Sequence, residues 1–242
     1  MDFNQYDLAK LRNGLKELDI SLNDNQIEQF MRYYELLAEW NSFMNLTAIT
    51  EFDEVCTKHF IDSLSLCKAI DCTEQYSVID IGTGAGFPGI PLKIAFPNLK
   101  ITLLDSLAKR VKFLNEVIAQ LNLKDIEAIH GRAEDFAKPD LLRERFDICV
   151  SRAVANLSTL SEYCLPYVKV GGFFISYKSE KISEEMQSAH RAITALGGEV
   201  SEQKEFMLPD SEIYRNLFVI KKIQATPKKY PRKAGLPSKE PL

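Results

Sequence analysis

Residues 78–92 read VIDIGTGAGFPGIPL, in which an apolar strand runs directly into a glycine-rich turn and the start of a helix. Gly82, Gly84 and Gly86 lie in the turn, where glycine allows positive φ angles and a close approach of the backbone to a ligand. In open α/β sheets, ligands bind beyond the carboxyl ends of the strands, near the point where the strand order reverses. The stretch therefore predicts an α/β fold with a binding site at this turn.

Strands and helices alternate around this unit. The apolar pattern predicts strands at 76–81, 99–105, 125–130, 146–151, 172–178, 199–207 and 214–222, with an amphipathic helix at 107–121 as the clearest of the helices between them. Nearly continuous apolar strands are typical of a parallel sheet that helices cover on both faces. The last two strands have no helix between them, which predicts a hairpin. We expect a mostly parallel seven-stranded sheet with one antiparallel edge strand.

Two segments flank this predicted α/β domain, which we place at 73–223. Residues 1–72 form a helical extension, with one helix capped by Asn23 or Asp24 and a second from Glu51 to Ile70. The first of these helices has an apolar face made of Ile27, Phe30, Met31, Tyr34 and Leu37. Residues 224–242 are basic and contain four prolines, so an extended segment is expected there.

The composition narrows the class of protein. The chain has 242 residues, of which 45% are hydrophobic, but no apolar run reaches the roughly 18–20 residues that cross a bilayer. The beginning, MDFNQYDLAK, resembles no leader sequence, so we expect a cytoplasmic protein without membrane contact. The five cysteines form no CxxC pair and share no ligand spacing with the histidines, which argues against a metal site. A monomer is expected.

Charge is distributed unevenly along the chain. From Lys221 onward there are seven Lys or Arg residues and one acid, so this end carries +6 while the first 220 residues carry −10. An acidic body with a basic end predicts a local contact with a polyanion rather than a generally basic binding surface.

Two classes of ligand fit the glycine-rich turn. Gly84, Gly86 and Gly89 match the spacing of a dinucleotide fingerprint, and Asp105 lies about 20 residues further on, where a ribose-binding acid is expected. However, Gly84 follows the strand later than in that fingerprint, and Asp80 places a carboxylate near the position of a pyrophosphate. S-adenosylmethionine carries a sulfonium, an ammonium and one carboxylate, so Asp80 attracts its cationic end. The sequence favours S-adenosylmethionine over a nicotinamide dinucleotide.

Two acidic positions downstream have alternative explanations. Asp105 suits a ribose, yet an acid after a strand is often the cap of the next helix. The sequence GRAED (131–135) follows the third strand, and there the backbone of Ala133 and the carboxylate of Glu134 are suited to the edge of an adenine. A polar surface turn explains GRAED equally well.

The fourth strand, which runs into Ser151-Arg152-Ala153, indicates the kind of methyl acceptor. It lacks the Asp/Asn-Pro-Pro-aromatic turn of amino-group methyltransferases, and Cys149 lies inside the strand rather than at its end as a nucleophile would. An acceptor with a free lone pair, such as guanine N7, needs neither a base nor a covalent intermediate, so orientation and electrostatics suffice. Arg152 is the candidate catalytic residue, holding either guanine O6 or the carboxylate of the cofactor.

Several motifs together resemble the RsmG/GidB family of bacterial small-subunit ribosomal RNA guanine-N7 methyltransferases. The resemblance covers nearly the whole chain and is carried by NLTAI (45–49), KHFIDSL (58–64), DIGTGAGFPGIPLKI (80–94), DSLAKRVKFL (105–114), GRAED (131–135), SRAVA (151–155) and YPRKAGLPSKEPL (230–242). The stretch KPDLLRER (138–145) departs from the family pattern.

This resemblance implies a Rossmann-like fold of the class I S-adenosylmethionine-dependent methyltransferases. It implies cofactor contacts at Gly82, Phe87, Ala133, Glu134 and Arg152, and a substrate that is one guanine in the decoding-region loop of 16S rRNA. The expected partner is thus the 16S rRNA or the small ribosomal subunit.

RNA chemistry is consistent with that expectation. Guanine N7 lies in the major groove, which is too narrow and deep in A-form RNA to admit side chains, so the base has to be extruded. The sequence provides candidate RNA-binding residues near its end, with cations for phosphates and one aromatic ring for stacking: Lys228, Lys229, Tyr230, Arg232 and Lys233. The rival functions are methylation of another RNA or of protein, nicotinamide-dependent oxidoreduction, and a ribosome-assembly factor that only retains the cofactor site.

Overall fold

The computed structural model describes residues 6–152, 155–179 and 183–242. The strands are β1 (Ser77–Ile81), β2 (Lys100–Asp105), β3 (Ile126–His130), β4 (Phe146–Ser151), β5 (Val168–Lys178), β6 (Gly198–Met207) and β7 (Tyr214–Lys222). The α-helices are α1 (Ala9–Glu17), α2 (Asp24–Met44), α3 (Phe52–Val55), α4 (Asp62–Leu64), α5 (Gly89–Ala95), α6 (Ala108–Gln120), α7 (Ala133–Phe136), α8 (Leu157–Cys164), α9 (Ser183–Ala195) and α10 (Leu236–Lys239).

All seven strands form one sheet in the order β3-β2-β1-β4-β5-β7-β6. The first five strands pair in parallel, whereas β7 runs antiparallel to both β5 and β6. The seven predicted strands and the single antiparallel strand are therefore confirmed, and that strand lies in the hairpin at one edge of the sheet. The strand order reverses between β1 and β4, which places the ligand-binding crevice beside the glycine-rich turn.

Apolar side chains cover both faces of the sheet, as the continuous hydrophobic strands predict. One core joins α1, α2, α5 and α6 to the sheet, with Phe30, Leu37 and Phe113 among its fully or almost fully buried members. The second core joins α8 and α9 to the opposite face, around Leu160 and Phe174. The N-terminal helices thus share the first core with the sheet.

The N-terminal helices follow the sequence signals in part. Asn23 caps α2, because its side chain accepts the backbone N–H of Gln26 at 2.9 Å while the Gln26 side chain accepts the N–H of Asn23. The segment from 51 to 70 is helical as predicted, but it is not a uniform α-helix. It contains a π-helical stretch at Cys56–Ile61 and a 3₁₀ turn at Ser65–Lys68. Wide π turns commonly lie at functional sites.

The segment after β7 is mostly irregular, as its prolines predict, apart from the single turn of α10. It crosses the outside of α8 and returns to the carboxyl edge of the sheet, where Thr159 Oγ1 donates to the Pro237 carbonyl at 3.0 Å. Within the described ranges, no helix is both long and apolar enough to cross a bilayer.

Candidate active site

A cavity of about 370 Å³ opens at the carboxyl ends of β1, β2 and β4. Its volume falls in the range of roughly 300–1,000 Å³ that is usual for small-molecule sites. Ile81, Leu104 and Ser151 contribute one side from the strand ends, and α8 contributes Leu160 and Tyr163 from the other. The remaining lining residues come from the turn after β1, the GRAED stretch and the C-terminal segment: Gly82, Gly131, Arg132, Ala133, Glu134, Gly235 and Ser238.

The glycines of the turn have different surroundings. Gly84 has φ +64°, and a Cβ added there would meet only the Gly82 carbonyl oxygen, at 4.0 Å, so this side of the turn is open. At Gly86, with φ +99°, the added Cβ would lie 2.5 Å from Ile90 Cδ1 and 2.8 Å from the Tyr33 hydroxyl. The lack of a side chain at Gly84 therefore leaves space for a ligand. At Gly86 it is needed for the packing of Ile90 and Tyr33.

Asp80 is fully buried beneath the turn. Its Oδ2 accepts the Thr83 hydroxyl at 2.6 Å and the Gly89 N–H at 2.9 Å. The first N–H of α5 is therefore already hydrogen-bonded to a carboxylate. In dinucleotide sites, the corresponding N–H groups at the start of the helix bind the pyrophosphate. Oδ1 has no hydrogen-bond partner among the described residues. Burial raises the pKa of Asp80 to about 6, although the two hydrogen bonds and Arg152 oppose the rise.

Asp105 shapes the same turn from the end of β2. Its Oδ2 accepts the Gly84 N–H at 2.9 Å, and its Oδ1 accepts the Leu107 N–H at 2.9 Å, before the start of α6. Arg110 also lies 3.4 Å from Oδ2. Asp105 thus holds the glycine turn and the turn before α6, but it is not the N-cap of that helix, whose N-cap is Leu107. Its contact with a ribose stays a prediction.

The GRAED stretch lies where the sequence interpretation required it. Ala133 and Glu134 line the cavity, and the Ala133 carbonyl accepts the Tyr167 hydroxyl. Glu134 Oε1 accepts the backbone N–H of Gly235 at 2.8 Å, so this carboxylate joins the cavity to the C-terminal segment. Nothing in the sequence pattern connects these two residues.

Arg152 stands at the carboxyl end of β4 and is held by the π-helical stretch. Its Nη1 donates to the Lys58 carbonyl at 2.9 Å and to Asp62 Oδ2 at 3.0 Å. Asp62, with a side chain only 3% exposed, also pairs with Arg215 of β7 through Oδ1 at 2.8 Å. The Arg152 guanidinium lies 5.1 Å from the centre of the Phe87 ring, within range of a cation–π contact. Ala153 and Val154, the middle of SRAVA, lie outside the described residues.

His59 completes this cluster as a neutral ring. Its Nδ1 lies 3.1 Å from Arg152 Nη2, and its Nε2 lies 2.9 Å from Thr47 Oγ1. Since a guanidinium can only donate, Nδ1 accepts and the proton is on Nε2. Burial, followed by the charge of Arg152, lowers the pKa of His59 to about 3. The ring also stacks on Phe87 with centroids 4.3 Å apart.

The candidate RNA-binding residues separate into two groups. Lys228, Lys229 and Lys233 are exposed, and we call them the tail lysines. Arg232 is instead engaged with Glu162, whose oxygens it reaches from Nε at 3.0 Å and from Nη2 at 2.7 Å. The Tyr230 ring is 8% exposed and packs in the second core, which leaves little surface for stacking on a base. Geometry therefore favours the tail lysines for phosphate contact.

The sequence patterns did not predict several residues of the site. Arg215 and Glu162 act through ion pairs with distant partners, and Gly235 lines the cavity. For Glu162 there is a signal in the sequence, since a lone acid in the otherwise apolar and small-residue helix LSTLSEYC is expected to need a partner.

Comparison with known sequences gives consistent matches. The family described as GidB, rRNA small subunit methyltransferase G, matches residues 26–214. A ribosomal RNA small subunit methyltransferase G from Lachnoclostridium phytofermentans is 58% identical over 229 residues, which cover 95% of each chain. A protein of the same name from Acetivibrio thermocellus is 53% identical over 243 residues and covers 100% of both chains.

Solved structures support the same fold. A methyltransferase from Pyrococcus furiosus has a TM-score of 0.57 and 14% identity, covering 84% of this chain and 100% of that one. A SAM-dependent methyltransferase from Aquifex aeolicus has a TM-score of 0.53 and 18% identity, covering 73% and 96%. At these identities the likeness concerns the fold alone, and it confirms the expected Rossmann-like architecture.

Proposed function

The chain belongs to the GidB family, the rRNA small subunit methyltransferases G, and on that premise we propose that it methylates N7 of a guanine in 16S rRNA with S-adenosylmethionine as the donor. Membership of the family makes it an rRNA methyltransferase, and the choice of guanine N7 is the finer step. The observation that carries the proposal is the cavity at the carboxyl ends of β1, β2 and β4, where an open glycine turn lies above a buried carboxylate.

The residues of the cavity fit S-adenosylmethionine, which supplies an electrophilic methyl group when it is bound. The Gly82 backbone would contact the cofactor at the turn, and Ala133 with Glu134 would contact it at the end of β3. Asp80 and Asp105 carry negative charge beside the turn, which favours a cationic ligand and opposes a pyrophosphate. Asp80 is fully buried, so it would act through its charge rather than by direct contact.

Arg152 has donors left for a ligand. Of its five N–H groups, both on Nη1 and one on Nη2 are directed to Lys58, Asp62 and His59. The Nε–H and one Nη2–H have no acceptor among the described residues. Two donors on one guanidinium can bind a carboxylate, which accepts through both of its oxygens. We therefore assign Arg152 to the carboxylate of the cofactor rather than to guanine O6.

The chemistry at the end of β4 suits an acceptor with a free lone pair. His59 is hydrogen-bonded at both ring nitrogens, and Asp62 is paired with two guanidinium groups. Neither group is therefore available as a general base. Methylation of a protonated or amide-like nitrogen would need such a base, because a proton must leave before the nitrogen can attack. Guanine N7 requires no proton transfer before attack. Orientation of the base and exclusion of water then account for the catalysis.

The RNA is expected to reach the site from the side of the tail lysines. These three ammonium groups are exposed on an otherwise acidic molecule, so they attract phosphates locally. The target base has to leave its stack to enter the cavity, as in other enzymes that modify bases.

The proposal is tested by incubating the purified chain with methyl-labelled S-adenosylmethionine and small-subunit rRNA that lacks the modification, either naked or in assembled subunits. We expect label in 7-methylguanosine after digestion of the 16S rRNA. Label at another position, in another RNA or in ribosomal protein would contradict the assignment of guanine N7. A chain that binds NAD but not S-adenosylhomocysteine would refute the methyltransferase assignment altogether.

A further inference from the structure

The C-terminal segment, residues 224–242, reaches the cavity and forms part of its wall. Gly235 and Ser238 line the cavity opposite the strand ends, together with Tyr163 of α8. The Ser238 hydroxyl donates to the Gly235 carbonyl at 3.1 Å, which fixes the two wall residues to each other. A segment that looks like a solvated basic end in the sequence is thus part of the candidate cofactor site.

The beginning of the C-terminal segment is fastened by the charge-rich stretch 138–145. Arg143 donates from Nη1 to the Tyr230 carbonyl at 2.7 Å and from Nη2 to the Thr226 carbonyl at 2.5 Å. Glu144 Oε1 accepts the Thr226 N–H at 2.7 Å. The stretch that departs from the family pattern in sequence therefore has a role in docking this segment.

A buried ion pair fastens the middle of the segment. Glu162 of α8 is 0% exposed, and its Oε1 accepts the backbone N–H of Arg232 at 2.8 Å in addition to the guanidinium bonds. Removing the arginine would leave a buried carboxylate without a counter-charge, which is strongly unfavourable. The pair therefore fixes both the position and the direction of the chain as it approaches the cavity.

The end of the segment is fastened beside the cavity itself. Glu134 Oε1 accepts the Gly235 N–H at 2.8 Å, and the Ser158 hydroxyl donates to the Leu242 carbonyl at 2.8 Å. α8 is in contact with α10, and Tyr163 lines the cavity together with Ser238. Burial raises the pKa of the Tyr163 phenol. Glu134 is thus shared between the cavity and the segment.

We propose that Gly235 and Ser238 belong to the binding site for the adenosyl end of the cofactor, and that Glu162 and Arg232 are the positioning pair that holds them there. The assignment rests on the proposed function, because the ligand class follows from it. A ligand that contacts this wall binds more tightly when the segment is docked. By linkage, the ligand stabilises the docked segment by the same factor.

Hydrogen exchange on the unmodified full chain gives the main test, with S-adenosylhomocysteine as the probe. If loss of the wall weakens binding about tenfold, then saturating probe slows exchange of the amides at 235–240 by about the same factor. Probe that binds with unchanged exchange at these amides would overturn the proposal. A wild-type chain that binds no probe at all refutes the proposed function and this inference together, so the two failures are distinguishable.

Calorimetry on variants gives the second test. Arg232→Ala is expected to weaken binding of S-adenosylhomocysteine about tenfold, equivalent to about 1.4 kcal/mol. Lys239→Ala is the matched control, since it removes an exposed charge from α10 of the same segment and its affinity should stay within twofold. A folded Arg232→Ala protein with the affinity of the control would contradict the proposal. Should that variant unfold, the exchange measurement on the wild type decides alone.

Discussion

Asp62→Asn is the substitution that most sharply tests how Arg152 is held. The side chain of Asp62 is 3% exposed and pairs with Arg152 at 3.0 Å and with Arg215 at 2.8 Å. One pair of unit charges about 4 Å apart near a protein surface attracts by about 4 kcal/mol before desolvation is counted. Removing one member of a buried pair costs about 3–5 kcal/mol. Because both arginines keep some solvent contact and asparagine retains one acceptor, we expect a decrease near the lower value, about 3 kcal/mol of unfolding free energy.

The functional effect of this substitution is measured as the ratio of the affinities for two ligands that differ only in a carboxylate. Wild-type protein should bind S-adenosylhomocysteine about 10–100-fold more tightly than its decarboxylated analogue, because charge-assisted hydrogen bonds are worth about 1.5–3 kcal/mol. In Asp62→Asn the guanidinium loses its fixed direction, so this ratio should fall towards unity. A merely structural role would weaken both ligands equally and leave the ratio unchanged.

Glu54→Gln is the matched control for Asp62→Asn. Glu54 forms an ion pair with Lys58 on the same helical segment, but its side chain is 48% exposed. Exposed pairs contribute little, so the control should change unfolding free energy by less than about 0.5 kcal/mol and leave the ligand ratio intact. A folded Asp62→Asn protein that keeps the wild-type ratio would refute the positioning of Arg152 by Asp62.

The remaining predictions concern the turn, the tail and the buried histidine. Gly84→Val should abolish most binding of S-adenosylhomocysteine and cost about 1–2 kcal/mol of stability, because valine is strained at the positive φ of this position. Gly86→Val should mainly lower the melting temperature, because its Cβ would clash with Ile90. Normal affinity in a folded Gly84→Val protein would count against the site. Replacing the tail lysines by alanine should weaken RNA binding. The slope of the logarithm of the binding constant against the logarithm of the salt concentration should become shallower by about one for each phosphate that a lysine neutralises. An unchanged slope would show that the tail lysines do not contact phosphates. The pKa of His59 is lowered from 6.5 to about 3, so its contribution to stability is complete above pH 6.5 and decreases as the pH falls. Denaturant titrations should show that the difference in unfolding free energy between wild type and His59→Gln decreases by roughly 2 kcal/mol from pH 7 to pH 5. A difference that does not change with pH would show that His59 is not buried as a neutral ring.

Local patterns in the sequence predicted the sheet and the turn well, since both depend on neighbouring residues. Alternating apolar strands and amphipathic helices report burial directly, so the seven strands agree with prediction to within a few residues. Asn23 as the cap of α2 follows from the same local chemistry. The position of Asp80 and of Gly82 beside a cavity follows from where parallel strands end.

The rest of the site depends on long-range interactions that no local pattern reports. Gly235 and Glu134 are 101 residues apart in the chain, and Arg232 and Glu162 are 70 apart. A basic, proline-rich end has the same composition whether it is docked on the protein or free in solvent. Composition alone therefore groups Arg232 and Tyr230 with the lysines as candidates for RNA binding. The docked conformation engages Arg232 with Glu162 and buries the Tyr230 ring. Similarly, the π-helical stretch differs from an α-helix by one residue per turn, which apolar spacing at 51–70 does not distinguish.

Mapping the methyl groups of 16S rRNA in cells with and without this protein tests the central claim most directly. We expect that one 7-methylguanosine is present with the wild-type chain, is missing without it, and stays missing when only Gly84→Val is supplied. A 16S rRNA whose guanine N7 methylation is the same in all three strains would contradict the assignment of this cavity to methyl transfer.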